Sequence, residues 1–433
     1  MSAWPTPQSL AIDVALSAPV RRAREQLLTL KRRASGEPAA IDAYLQLDDA
    51  YSRLLLRELL LVDAAYDVDV RLHWLSAELP PEYEPNAALR MLYAPSDATR
   101  LAEALGDPFP LTPALAMRDA VAAALVAIAE DQPEGRLAAS RALCEQWWHN
   151  DTAALTEAIA RVNTIALERA RQHGKRSVAA LLEARHYEAA TLVFDGSNYA
   201  GIDRLYHLLK RLDRLGLTAN RDAARQLRER QRSLRPPVSV RGKPTVGFYF
   251  SFRSPFSYLA ATTTFALVKQ GVIDVNFYPV LPMVSRGQPL PTAKRLYLVT
   301  DANREAERLG IPFGRIADPL DAAPDLIRVA AAAERDGCLA DVVLAIGNAS
   351  WAQGIDLRKQ RNLTAVVTNA GLTPTAVRRA LADDAPLDAA ATNMQRLNAA
   401  GLFGVPSFTL GSRAAFGQDR LALLLAEPNE EEP

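Results

Sequence analysis

Apolar residues fall in two rhythms along this chain, and each rhythm appears twice. Val68–Leu75 and Val272–Val280 alternate apolar with polar positions and are rich in β-branched residues, the period of a strand. Ala39–Leu47 and Thr245–Phe252 are denser apolar runs leading straight into helical patterns, and read as first strands. Ala-, Leu- and Arg-rich stretches over about 111–175 and 320–400 carry apolar residues three to four apart, which predicts two helical inserts. Thr191–Phe194 and Ser407–Leu410 read as late strands, each ahead of a turn and a last helix. The charged segment 218–243 ends around Pro236 and Pro237, so it predicts a helical linker. Glu427–Pro433, acidic and proline-flanked, predicts a disordered tail.

Individual residues recur as well. Tyr93, Asp97, Arg100, Gly106, Pro108 and Phe109 match Tyr297, Asp301, Arg304, Gly310, Pro312 and Phe313, all at an offset of 204. Asp203, Arg204 and Leu205 match Asp419, Arg420 and Leu421 at 216, and Trp148 matches Trp351 at 203. Tyr44 and Ser52 match Tyr249 and Ser257 at 205, and Gln26 and Leu27 match Gln226 and Leu227 in the helix before each first strand. Matches in one order at a drifting offset predict a tandem duplication of one α/β domain. The expected boundaries are 1–217 and 244–426, with 218–243 between them.

Composition narrows the classes. Fifty basic and 50 acidic residues balance, so net charge gives no reason to expect nucleic-acid or membrane binding. No run approaches 18 apolar residues and the N-terminus lacks a secretory pattern, which predicts a cytoplasmic protein. Cys144 and Cys338 make neither a disulfide framework nor a C-x-x-C pair. All five histidines lie in the first half without metal-ligand spacing, so no metal is expected.

The chemistry concentrates where the first strand of the second half meets its helix. Ser254 stands at the N-cap position and Pro255 at the first helical position. A hydroxyl there sits beside free backbone N–H groups and the positive end of the helix dipole, which favour an anion such as a thiolate. Ser-Pro also starts helices with no further role. Lys294, Trp351, the run Gly404-Val405-Pro406 and the run Gln418-Asp419-Arg420 follow in order.

Together these segments, over roughly 243–426, resemble the DsbA-like thioredoxin superfamily, in its 2-hydroxychromene-2-carboxylate isomerase and kappa-class glutathione transferase branch. The resemblance implies α/β architecture, two tandem thioredoxin-like domains each with a helical insertion. It implies glutathione as cofactor, with Ser254 donating its hydroxyl hydrogen to the sulfur and a cis Pro406 letting Val405 pair with the peptide. Gln418 and Asp419 would meet the γ-glutamyl end, and Lys294 the glycyl carboxylate or an acidic substrate. Phe256, Tyr258 and Trp351 would line a pocket for a small electrophilic acceptor, an aromatic or unsaturated acid. The loop Leu281–Leu290 is shorter than the family's and lacks its asparagine, with Gln288 the nearest amide.

The first half departs from this pattern, with Asp49 and Ala50 opposite Ser254 and Pro255, Ala190 opposite Pro406, and Arg90 opposite Lys294. It is expected to be a degenerate partner, and the whole chain a monomeric pseudo-dimer. Three activities stay open: a glutathione-dependent isomerase or transferase, a catalytically silent binding module, and a thiol–disulfide oxidoreductase. The last lacks a cysteine at 254 or 257.

Overall fold

The computed structural model describes residues 14 and 16–426, apart from 76–79, 84–85, 109–116, 132–134, 161–163, 239, 241 and 289. Phe109 and the tail Glu427–Pro433 lie outside the described residues. In chain order the first half holds α1 (Ala18–Ala34), β1 (Ala40–Leu45), α2 (Ala50–Ala65), β2 (Asp69–Trp74) and α3 (Ala87–Ala104). An insert follows, α4 (Arg118–Asp131), α5 (Arg136–Trp148), α6 (Thr152–Ile159) and α7 (Thr164–Glu183), then β3 (Thr191–Phe194), β4 (Ser197–Ala200) and α8 (Leu205–Arg214). After α9 (Arg221–Ser233), the second half runs β5 (Thr245–Phe250), α10 (Pro255–Lys269), β6 (Asp274–Pro279) and α11 (Thr292–Leu309). Its insert is α12 (Ala323–Arg335), α13 (Leu339–Asn348), α14 (Gln360–Asn369), α15 (Pro374–Leu381) and α16 (Ala385–Ala399), before β7 (Ser407–Leu410), β8 (Arg413–Phe416) and α17 (Leu421–Ala426).

The two sheets have one plan, β2-β1-β3-β4 and β6-β5-β7-β8. In each, the first two strands run parallel through a helical crossover and the last two form an antiparallel hairpin. The central strands are buried and read as nearly continuous apolar runs, because helices cover their faces. Phe248 of β5 stacks on Phe408 of β7 with ring centroids 5.1 Å apart. The hairpin strands β4 and β8 were not legible, since Ser197–Ala200 and Arg413–Phe416 are short and only half-buried. The helix expected as a linker packs on the first half: Ala224 and Leu227 of α9 are buried there, and Arg230 donates to Glu58 at 2.7 Å.

The halves meet through contacts that come in matched pairs. Arg420 donates to Asp97 at 3.0 and 3.1 Å, and Arg204 donates to Asp301 at 2.6 Å. Arg420 donates to Asp203 at 2.9 and 2.7 Å, and Arg204 to Asp419 at 2.8 Å. The Phe416 amide donates to the Tyr93 hydroxyl at 2.8 Å, and the Ala200 amide to the Tyr297 hydroxyl at 3.1 Å. Arg100 donates to the Ala414 carbonyl, and Arg304 to that of Asn198. In each of these pairs residue i of one half touches j of the other and j's counterpart touches i's, the signature of a two-fold interface. Of the residues that repeat along the sequence, Tyr93, Asp97, Arg100, Asp203 and Arg204 and their counterparts pair across it.

Burial alone would push the Arg420 guanidinium towards neutrality, but Asp203 and Asp97 hold it charged. Such groups are safe only while both partners are present. Arg420→Ala is therefore expected to lower stability by about 3–5 kcal/mol, because it leaves Asp97 and Asp203 buried with a partner missing. Urea unfolding measures this, and a loss below about 1 kcal/mol would mean the pairs behave like exposed ones.

Candidate functional site

A cavity of about 980 Å³ opens between the halves, and eight of the nine residues singled out from the sequence line it: Ser254, Phe256, Lys294, Trp351, Val405, Pro406, Gln418 and Asp419. Ser254 is the N-cap of α10. Its Oγ accepts from the Ser257 amide at 3.1 Å and donates to the Val405 carbonyl at 3.3 Å. The hydroxyl thus caps a helix and faces the Val405–Pro406 segment at once. The Val405–Pro406 peptide is cis, as expected.

The first half repeats this frame with other chemistry. Asp49 caps α2 with φ −94° and ψ 113°, against −90° and 116° at Ser254. Its carboxylate accepts from the Ser52 amide at 2.9 Å and the Ser52 hydroxyl at 2.7 Å. Burial raises its pKa, partly offset by the charge of Arg90. Ala190, opposite Pro406, takes a positive φ of 52°. Trp148, opposite Trp351, is buried, with its indole N–H donating to the Leu47 carbonyl at 3.2 Å.

Several expected ligand groups are already engaged. Asp419 accepts from Arg204 and Arg420, and Gln418 donates to Glu305 at 2.9 Å. Lys294 donates to the Tyr83 carbonyl at 2.5 Å and lies 4.9 Å from the centre of the Tyr187 ring, both in the first half. Tyr258, expected in the pocket, is core instead. Its ring packs against the backbone at Gly347, where a Cβ would approach it to 2.4 Å, and its hydroxyl donates to the Pro312 carbonyl. Trp351 is buried and stacks on Phe313 with centroids 5.9 Å apart. Phe256 lies with its ring centre 5.9 Å from the Arg204 guanidinium.

The match between halves fails at the position of Phe256. Tyr51 donates to Asp97 at 3.0 Å, and Tyr93 donates to it at 2.9 Å. Phe256 holds the position of Tyr51 in the second half and has no hydroxyl; Asp301 Oδ1 is buried without a hydrogen bond. Asp301 lines the cavity too, and sequence reasoning, which met it in the repeat and in the stretch after Lys294, assigned it no site role. The loss of a tyrosine hydroxyl at Phe256 was the available signal. Glu305 was missed as well: it accepts from His207, Arg308 and Gln418, and burial, which would raise its pKa, is outweighed by Arg204, His207 and Arg308.

Residues 245–427 match the DSBA-like thioredoxin domain. A 2-hydroxychromene-2-carboxylate isomerase structure aligns at 25% identity over 42% of this chain and 92% of its own, with a TM-score of 0.36. A probable DsbA oxidoreductase from Streptomyces coelicolor aligns at 19% identity over 40% and 84%, TM-score 0.33. The cytosolic disulfide reductase DsbM from Pseudomonas aeruginosa, solved with GSH, aligns at 22% identity over 40% and 88%, TM-score 0.33. No curated protein sequence matches significantly. Among the described residues no helix is long and apolar enough to cross a membrane.

Phe256→Tyr would supply beside Asp301 the hydroxyl that Tyr51 gives to Asp97 Oδ2 in the first half. A hydrogen bond to a charged group is worth about 1.5–3 kcal/mol, so the variant should be more stable, with a rise in Tm as the readout. His186 gives a pH dependence. It is fully buried against Tyr187 and Tyr297, both ring nitrogens lack partners, and burial lowers its pKa to about 4. The unfolded chain takes up this proton near pH 6.5. Between there and pH 4 it holds more protons than the folded one, so stability drops as the pH is lowered, by about 1.4 kcal/mol per unit. Urea unfolding of His186→Phe at pH 6.5 and 5 should show a slope shallower by about that amount.

Proposed function

We propose that this protein is a glutathione-dependent isomerase or transferase acting on an aromatic or unsaturated carboxylate. The observation that carries this reading is the Ser254 hydroxyl, set at a helix N-terminus 3.3 Å from the carbonyl of Val405 and facing an inter-half cavity. Neither cysteine lines that cavity, which speaks against the oxidoreductase reading. Glutathione would supply the nucleophilic thiol. Ser254 would turn its hydrogen from the Val405 carbonyl to the sulfur, while the α10 N-terminus favours the anion. Phe256 and Trp351 would shield the acceptor from water. With Asp419 committed to Arg204 and Arg420, the γ-glutamyl end would rest more on backbone groups than on that carboxylate.

The shared sheet plan and the matched contacts support a tandem duplication whose halves pack as a pseudo-dimer in one chain, with α9 counted to the first unit. The Asp49 carboxylate at the matching helix end would repel a thiolate, so one productive site per chain is the reading for the pair. A silent binding module is the second reading, favoured by the internal engagement of Gln418, Asp419 and Lys294.

Calorimetric titration with reduced glutathione separates them. Binding at one equivalent per chain is expected; no heat would leave the silent module, and two equivalents would restore the first half. Ser254→Ala should slow turnover roughly ten- to a hundredfold, the worth of one hydrogen bond to a charged group. It should also cost about 1 kcal/mol of stability as a lost N-cap. Loss of the cap without any change in rate would remove Ser254 from the chemistry.

A further inference from the structure

Cations around the cavity are nearly all paired. Arg253 donates to Asp318 at 2.9–3.3 Å, Arg358 to Asp356 at 2.8 and 3.1 Å, and Lys294 to the Tyr83 carbonyl. Arg286 is different. It closes the short 3-10 turn Met283–Arg286, with Gly287 following at a φ of 74° in the left-handed region that lets the chain turn away. The side chain is half-buried and lines the cavity, and among the described residues its buried Nε has no hydrogen-bond partner. Burial without a counter-charge lowers its pKa. Arg295, another cation of the lining, is exposed and solvated. A half-buried guanidinium with no carboxylate partner among the described residues is a costly group to keep. Its planar fork matches a carboxylate in bidentate fashion, which an ammonium cannot do.

We propose that Arg286 is a carboxylate-binding residue of this cavity, presenting its guanidinium to a carboxylate of a bound ligand. Two ligands carry that group under the function proposed above: glutathione, through its glycyl end, and the acidic acceptor. The first source rests on the glutathione reading and the second does not. In both cases the contact replaces the one expected of Lys294, whose ammonium is held by the first half.

The test compares acids with their esters on the full chain and on Arg286→Gln, by calorimetry. Reduced glutathione is set against its glycyl ethyl ester, and trans-cinnamate against methyl cinnamate. The unmodified protein should prefer at least one acid over its ester by about ten- to a hundredfold, the range of a charge-assisted hydrogen-bonded pair. Arg286→Gln should erase that preference by weakening the acid and sparing the ester. Erasure in the glutathione pair assigns the glycyl carboxylate; erasure in the cinnamate pair assigns the acceptor. Arg286→Lys, which keeps the charge but not the fork, should fall between. If the protein binds no glutathione, the glutathione reading fails and the cinnamate pair alone decides on Arg286. Acid preferences unchanged in Arg286→Gln, or no acid bound at all, would overturn the proposal. Thermal unfolding supplies the control: an unpaired cation is not needed for folding, so Arg286→Gln should keep or raise the Tm. A lower Tm with unaltered ligand preferences would mean a structural arginine.

Discussion

Four buried ion pairs hold the halves against each other, Arg420 with Asp97 and Asp203, Arg204 with Asp301 and Asp419. Apolar surfaces can slide by a residue at modest cost, whereas a buried guanidinium displaced from its carboxylates cannot. The pairs therefore fix one register between the halves. That register lays Lys294 over Tyr187, brings Phe256 under Arg204, and leaves the cavity between them. It also explains why Asp419 has little left for a ligand: its carboxylate belongs to the lattice that aligns the site.

Within that frame, small substitutions separate the two helix ends. Asp49 and Ser254 share backbone angles, and Ser52 and Ser257 receive matching amide hydrogen bonds, from Gln46 and Ser251. A carboxylate at the cap only accepts, while a hydroxyl accepts from the helix and still has a hydrogen to give. The difference between a closed end and an end able to meet an anion lies in one side chain on an otherwise common turn.

Much of this was legible in the sequence, because strand periods, cap residues and the recurring residues are local or arithmetic signals. β3 and β7 came out with their observed bounds, and the cavity gathered most of the residues singled out. The role of the repeated residues was not legible. A position kept in both halves to hold a ligand and one kept to grip the other half leave the same trace, so Asp419 was read as a ligand group. Tyr258 followed the helical period of its neighbours, and only packing shows its ring turned to Gly347. Segment 218–243 looked like a tether because charge dominates it; its few apolar residues, Ala224 and Leu227 among them, are those that dock.

One departure from the matched pattern bears on how such a molecule can change. Where the second half buries Glu305 and Gln418 with His207 reaching in from the first, the corresponding positions are Leu101 and Ile202, with Leu423 reaching in from the second. Two identical chains meeting about a two-fold axis share every substitution. A charge introduced at one seam then appears at the other, where its partner must appear too. A single polypeptide is free of that duplication: one seam can turn polar while its counterpart becomes hydrocarbon. The same liberty lets one helix end carry a carboxylate and its counterpart a hydroxyl. Joined halves hold each other at an effective concentration no separate chains would reach, so each can drift while the other keeps the arrangement in place.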